Sequence, residues 1–138
     1  MATKSQNVHH LGSGSRQQLG EFGERLVADY LLQQGFTIRN HNYRQRTGEI
    51  DLIAQKKDLL IFVEVKLRRA RYFTLSDVVN GAKQKKIMAT AQRYIMLTKS
   101  FGCTIRFDVA CIEPDEQGQL TINYKENAFT NESGSYVW

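Results

Sequence analysis

Residues 59 to 67, LLIFVEVKL, limit the choice of fold more than any other stretch of the chain. Apolar side chains stand at both odd and even positions, so both faces of this extended segment must be covered. It reads as a central strand with structure packed on either side. Glu64 and Lys66 sit inside the run and share one face, because alternate strand residues point the same way. Desolvating a carboxylate or an ammonium is costly unless the charge is paired or holds a metal. Two readings are open: an internal Glu–Lys pair, or a strand end with charges in water, against a pair of groups kept for chemistry.

The residues just upstream favour chemistry. Residues 49 to 55 read as the preceding strand, joined to residues 59 to 67 by a polar turn at 56 to 58, with Glu49 and Asp51 on one face. A short connection makes the two strands antiparallel neighbours, which can set Asp51 beside Glu64 and leave Lys66 one pleat further along. Gly48 lets the backbone bend just before the acids. Two carboxylates and the intervening carbonyl of Val65 offer hard oxygen ligands suited to Mg2+ or Mn2+, and Lys66 can orient or help deprotonate an attacking water. Metal-dependent phosphodiester hydrolysis needs such a set.

The rest of the chain supplies the cover. Ser15 and Gln18 resemble a capping box, and Leu19, Phe22, Leu26, Val27, Tyr30 and Leu31 recur at helical spacing until Gly35 stops the run. Glu24 lies at the edge of that apolar arc and can reach the sheet, or it is a solvated helix residue. Residues 36 to 44 read as a strand that ends in a basic turn carrying Arg44 and Arg46, which completes a three-strand meander. A second helix from about Asn80 to Ser100, ended by Gly102, presents Ile87, Met88, Ala91, Tyr94, Ile95 and Thr98. Gln84 extends that stripe beside Lys83, Lys85 and Lys86, either at an anion-approaching helix start or as cover for the core edge. Residues 104 to 112 form a further strand in which Asp108 reads as a structural partner of Arg106. Residues 120 to 125 read as an added edge strand.

Length fits one domain, placed at residues 15 to 129, between a flexible tail at 1 to 14 and a C-terminal tail at 130 to 138. His9 and His10 in the first tail read as inert, and Trp138 in the last suggests only packing. The net charge of +5 conceals an asymmetry. Residues 39 to 106 hold fifteen of the nineteen Lys and Arg but five of the fourteen acids. That is the footprint of a protein that meets a phosphate backbone, or of a solvated basic face. Arg68, Arg69 and Arg71 interleave with Tyr72 and Phe73, a pattern able to hold phosphates and stack on bases, or an ordinary exposed turn. No apolar run approaches the length of a membrane helix, no secretory signal is visible, and Cys103 and Cys111 lack metal-ligand spacing. A cytoplasmic protein with free thiols, away from membranes, is the expectation.

The segments GEFGERLVADYLLQQG, RQRTGEIDLIA, IFVEVKLRR, KQKKIMATAQRYI and IRFDVA, covering roughly residues 16 to 129, resemble the bacterial YraN-like proteins, distant relatives of archaeal Holliday-junction resolvases. Asp51 with Glu64-x-Lys66 resembles the PD-(D/E)xK signature of the restriction-endonuclease-like superfamily, although Ile50 stands where the signature has proline. The resemblance implies an α/β, restriction-endonuclease-like core of order α-β-β-β-α-β, with a mixed central sheet flanked by helices. It implies Asp51 and Glu64 as metal ligands, Glu24 as an additional acid able to join them, Lys66 as the catalytic lysine and Gln84 as a polar residue near the site. A Mg2+-dependent endonuclease acting on DNA, branched DNA included, is the function it points to. Arg44, Arg46, Arg68, Arg69, Arg71, Lys83, Lys85 and Lys86 would then bind nucleic acid, and a homodimer is the assembly that junction-cleaving relatives use. The contrasting expectation is a nucleic-acid-binding or adaptor protein that keeps the fold without cleaving.

Overall fold

A computed structural model of the chain describes residues 2 to 5, 16 to 68 and 79 to 130. Its elements are β1 (Ala2–Ser5), α1 (Arg16–Gln33), β2 (Thr37–Gln45), β3 (Gly48–Lys56), β4 (Leu59–Leu67), α2 (Gly81–Thr98), β5 (Thr104–Pro114) and β6 (Leu120–Lys125). The strands make one sheet in the order β1-β6-β5-β4-β3-β2. Only β4 and β5 run parallel, joined by the crossover that contains α2, so the sheet is mixed. From α1 through β5 the order is α-β-β-β-α-β, the core that the resemblance implies.

The double-sided apolarity of β4 has the expected cause. Ile61 and Val63 join the core that α1 closes through Leu26, Val27, Tyr30 and Leu31, while Leu60 and Phe62 join the core beneath Ile87, Ala91, Tyr94 and Ile95 of α2. These four β4 side chains are at most 1% exposed. Each contributes roughly 1.5–3 kcal/mol relative to an exposed position, enough to hold the strand in the middle of the sheet.

The helix limits follow from local chemistry. Gly35, at φ +92°, ends α1 as the sequence suggests, with the Phe36 N–H donating to the Leu31 carbonyl. Asn80 caps α2, its side chain accepting from the Lys83 N–H at 2.9 Å. Gly102 does not end this helix. Lys99 does, in the left-handed conformation at φ 56°, and the Ser100 N–H returns to the Ile95 carbonyl.

Two expectations at the sheet edge change. Residues 2 to 5 lie in the segment read as a tail, yet they pair antiparallel with β6, Ala2 against Tyr124 and Ser5 against Thr121. β1 therefore forms the edge, and β6 is an inner strand. A free strand edge presents unpaired N–H and C=O groups, and any short segment able to extend can satisfy them. His9, His10, Ser15 and Trp138 lie outside the described residues, as do Arg69, Arg71, Tyr72 and Phe73 of the basic-aromatic segment.

Among the described residues no helix is long and apolar enough to cross a membrane. Cys103 and Cys111 are free thiols; Cys111 is buried, and burial pushes it up to about 12.

Candidate metal centre at a fork in the sheet

The pairing of β3 with β4 runs from Lys56 opposite Leu59 to Leu52 opposite Val63, and there it stops. Beyond that point β3 continues against β2 as far as Gly48 opposite Gln45, and β4 continues against β5 as far as Leu67 opposite Ile112. The two central strands part, and Asp51 and Glu64 are the first residues past the last pair. Asp51 fills the gap: its Oδ2 accepts the Val65 N–H at 2.8 Å, replacing the ladder carbonyl that the fork removes. In an extended strand the N–H and C=O of one residue leave on the same side, so the Val65 carbonyl faces this gap too.

Alternation also breaks here. Ile50 lies in the α2 core and Leu52 in the α1 core, although residues two apart in a regular strand share a face. The neighbouring strand carries the matching irregularity, Asn42 at φ 49° between the pairs His41–Leu52 and Tyr43–Ile50. Asp51, two residues from Ile53 of the α2 core, faces the cleft on that same side and joins neither core.

The electrostatics of the fork are strained. Burial first, and then the charge of Glu64, push the Asp51 carboxyl up to about 8, against the opposing effect of the Val65 N–H. Asp51 also shares a side-chain hydrogen bond with Glu64, as two carboxyls can when one keeps a proton. Glu64 is itself buried and pairs with the Lys83 ammonium of α2. Glu24, on α1, stands further off. Burial raises its carboxyl, a hydrogen bond with Asn42 opposes the rise, and its charge is felt at Asp51. An open cleft of about 470 Å³ lies over the pair, lined by Gly48, Glu49, Asp51, Glu64, Lys83 and Lys86 among others.

Comparison with known proteins adds the lineage. The model of the uncharacterised protein family UPF0102 matches residues 23–112. A UPF0102 protein of Symbiobacterium thermophilum is 42% identical over 113 residues, covering 81% of this chain and 96% of that one. This chain belongs to UPF0102. Another UPF0102 protein, from Dictyoglomus thermophilum, is 40% identical over 117 residues, covering 83% of this chain and 99% of that one. Membership agrees with the YraN-like resemblance read from the sequence. Among solved structures, Pyrococcus furiosus SfsA in complex with Ca2+ overlays with a TM-score of 0.40 at 16% identity, covering 81% of this chain and 64% of that one, a likeness too slight to bear on the site.

In this UPF0102 protein the expected residues are not all gathered at the fork. Asp51 and Glu64 meet, and Glu49 joins the cleft lining while pairing with Arg44 across the strands at 3.3 Å. Among the described residues, no three His, Cys, Asp or Glu side chains form one cluster, and Glu24 acts on the pair through its charge at Asp51. Lys66 is half-buried opposite Cys111 and does not line the cleft. Gln84 reaches back past the start of its helix, donating to the Val79 carbonyl at 3.1 Å, and is likewise absent from the lining. Arg46, Lys85 and Lys86 are exposed, while Arg68 is half-buried where β4 ends. Asp108 is structural, as expected, held by Arg106, Tyr124 and the Asn127 N–H.

Sequence reasoning missed Lys83 as the partner of Glu64. A signal existed: Lys83 precedes Ile87, Ala91 and Ile95 by four, eight and twelve residues, which puts it on the buried stripe of α2. Asn42, which bonds Glu24 and has φ 49°, gave no signal beyond the tolerance of asparagine for positive φ.

Gly48 sets how closely β3 approaches α2. It sits at φ +151°, and a Cβ there would stand 3.2 Å from the Thr90 Oγ1 and 3.4 Å from the Lys86 Cβ. Thr90 is fixed in turn, fully buried, bonded to the Lys86 carbonyl at 2.8 Å and to Thr47 at 2.8 Å. Gly48→Ala is expected to lose about 1–3 kcal/mol from backbone strain and crowding, read as a lower urea midpoint. An unchanged midpoint would mean that the approach is not tight.

Proposed function

We propose that this protein is a divalent-metal-dependent nuclease that hydrolyses phosphodiester bonds in DNA, with branched or otherwise structured DNA as the substrate class. The observation that carries this reading is the pair of carboxylates, Asp51 and Glu64, pressed together in a low-dielectric fork beneath an open cleft with a basic rim. A buried acid pair raises the free energy of the fold unless a proton or a cation neutralises it.

The donor set fits Mg2+ or Mn2+. Such ions take one or two carboxylates and keep several waters, so a third protein carboxylate is not needed. Asp51, Glu64 and the Val65 carbonyl would hold the ion. When bound, it would supply Lewis acidity toward a phosphoryl oxygen and lower the pKa of a coordinated water.

The chain's own residues do the rest. Asp51 is oriented by the Val65 N–H and so keeps its second oxygen free of the ladder. Lys86 and Lys83 line the cleft and would meet phosphate oxygens there, with Arg46 and Lys85 extending the positive surface. The cores of α1 and α2 keep water from the back of the fork, which strengthens each charge interaction at its mouth.

A panel of four-way junction, flap, single-stranded and duplex DNA with Mg2+ or Mn2+ tests the reading. Cleavage is expected in the parent, with loss of at least about 10³-fold in Glu64→Gln, since removing a metal ligand removes several kcal/mol of transition-state stabilisation. Cleavage of none of these, or equal cleavage by the variant, would refute it.

A second reading has an observation of its own. The Lys83 ammonium already neutralises Glu64 within the fold, and this favours a protein that binds nucleic acid without cutting it. Metal-independent binding that weakens linearly on a log–log plot against salt, with no cleavage, is the result that would select it.

A further inference from the structure

We infer that Lys83 is an exchangeable counter-ion, which closes on Glu64 when no metal is bound and is released toward substrate phosphate when a divalent cation takes its place. The inference rests on the metal-dependent reading above and adds a coupling between metal and nucleic acid that the carboxylates alone do not supply.

Three observations lead to it. The Lys83 ammonium contacts the Oε1 atom of Glu64, one of the two carboxylates that would hold the metal. An ammonium and a divalent cation cannot both occupy that face of one carboxylate, since like charges a few ångströms apart repel strongly where water is scarce. The pair is also unequal in exposure. The Glu64 side chain is 8% exposed and fixed in the sheet, whereas that of Lys83 is 39% exposed and stands at the cleft. Breaking the pair therefore moves the lysine into solvent and leaves the carboxylate where it was.

The anchorage of Lys83 suits such a swing. Its backbone is held in the first turn of α2 by the Asn80 cap, so the helix start stays in place while the flexible four-carbon stem reorients. Lys86 lines the same cleft one turn on. A released Lys83 would join it in facing a bound phosphate. Metal binding would then raise the positive charge available to the substrate twice, once by the ion and once by the freed ammonium. Linkage requires the reciprocal: substrate phosphate, by drawing Lys83 away, would tighten metal binding.

Lys83→Met and Lys86→Met test this by Mn2+ titration of the full chain, followed by electron paramagnetic resonance and, separately, by calorimetry. Both variants remove one positive charge from the cleft, but only Lys83 contacts the acid pair. Competition is expected to show as an approximately tenfold tighter Mn2+ affinity in Lys83→Met, with Lys86→Met changed by less than about twofold, a 1.4 kcal/mol contrast. Lys83→Gln, which removes the charge but keeps a polar stem, should tighten binding in the same way. Binding of a short duplex with a non-hydrolysable phosphorothioate linkage should gain affinity on adding Ca2+ in the parent and gain less in Lys83→Met. Equal Mn2+ affinity in parent and both variants, or equal tightening in the two methionine variants, overturns the exchange and leaves the nuclease reading standing. Failure of the parent to bind Mn2+ at millimolar concentration overturns both.

Discussion

Asp51→Asn is expected to melt at a higher temperature than the parent in metal-free buffer near neutral pH while losing metal-dependent cleavage altogether. The two effects come from one cause. Burial and the Glu64 charge hold the Asp51 carboxyl far above its ordinary value, at about 8, so ionising it costs folding free energy. The folded state binds a proton that the unfolded chain has released, and stability from this group is complete below about pH 3.8 and is lost as pH rises through about 8. Asparagine accepts the Val65 N–H equally well and carries no charge. The variant should match the parent near pH 4 and exceed it by several kcal/mol at pH 8, or roughly 10 °C or more in melting temperature for a chain of this size. Divalent metal should reverse the order, stabilising the parent and leaving the variant unmoved, because ligand binding stabilises only the state that binds. Melts at pH 4, 6 and 8 with and without Mg2+ make the comparison. A parent as stable as the variant at pH 8 in metal-free buffer would remove the electrostatic basis of the site.

Asp108→Ala should be the most damaging substitution away from the fork. Asp108 is 1% exposed, and its two oxygens take paired hydrogen bonds from Arg106 at 2.9 Å each, a third from the Tyr124 hydroxyl and a fourth from the Asn127 N–H at 2.9 Å. Burial and the neighbouring carboxylate together push the Tyr124 phenol up, which keeps it a donor. Truncation leaves all of these without an acceptor, and the Arg106 charge with only a 3.7 Å contact to Glu126. The expected loss is about 3–5 kcal/mol, a large part of the roughly 5–15 kcal/mol that holds an ordinary domain together. Chemical denaturation reads the loss directly. The role is structural, so Mn2+ affinity measured at a temperature where the variant is folded should stay within about twofold of the parent. A variant that folds normally but no longer binds Mn2+ would instead assign Asp108 to the site.

How much of this was legible in the sequence depends on the range of the interaction responsible. The two helices and the five strands of the core were readable because each carries its own periodicity, and because a strand apolar on both faces, residues 59 to 67, has to be central. The adjacency of Asp51 and Glu64 was readable as well, since a short turn between two strands leaves few registers open. Where Lys66 and Gln84 stand relative to the cleft was not legible, for a common reason. Strand and helix periodicity says which face a side chain leaves from, and it does not say that the face at that level borders the cleft. β1 was hidden because four residues with no strand pattern of their own pair with the edge of β6, a condition set by a strand more than a hundred residues away.

The amino-acid order alone therefore determined which segments are covered on both sides, which acids are neighbours and where the positive charge collects, all of them consequences of spacing within one or two adjacent elements. Only the tertiary structure decided that β3 and β4 part company at the two acids, that Asp51 bridges the gap through the Val65 N–H and that the lysine against Glu64 comes from α2 and not from its own strand. Those outcomes depend on how β2 and β5 draw the central strands apart and on how closely a helix packs over Gly48, and these are relations between elements that no local pattern encodes.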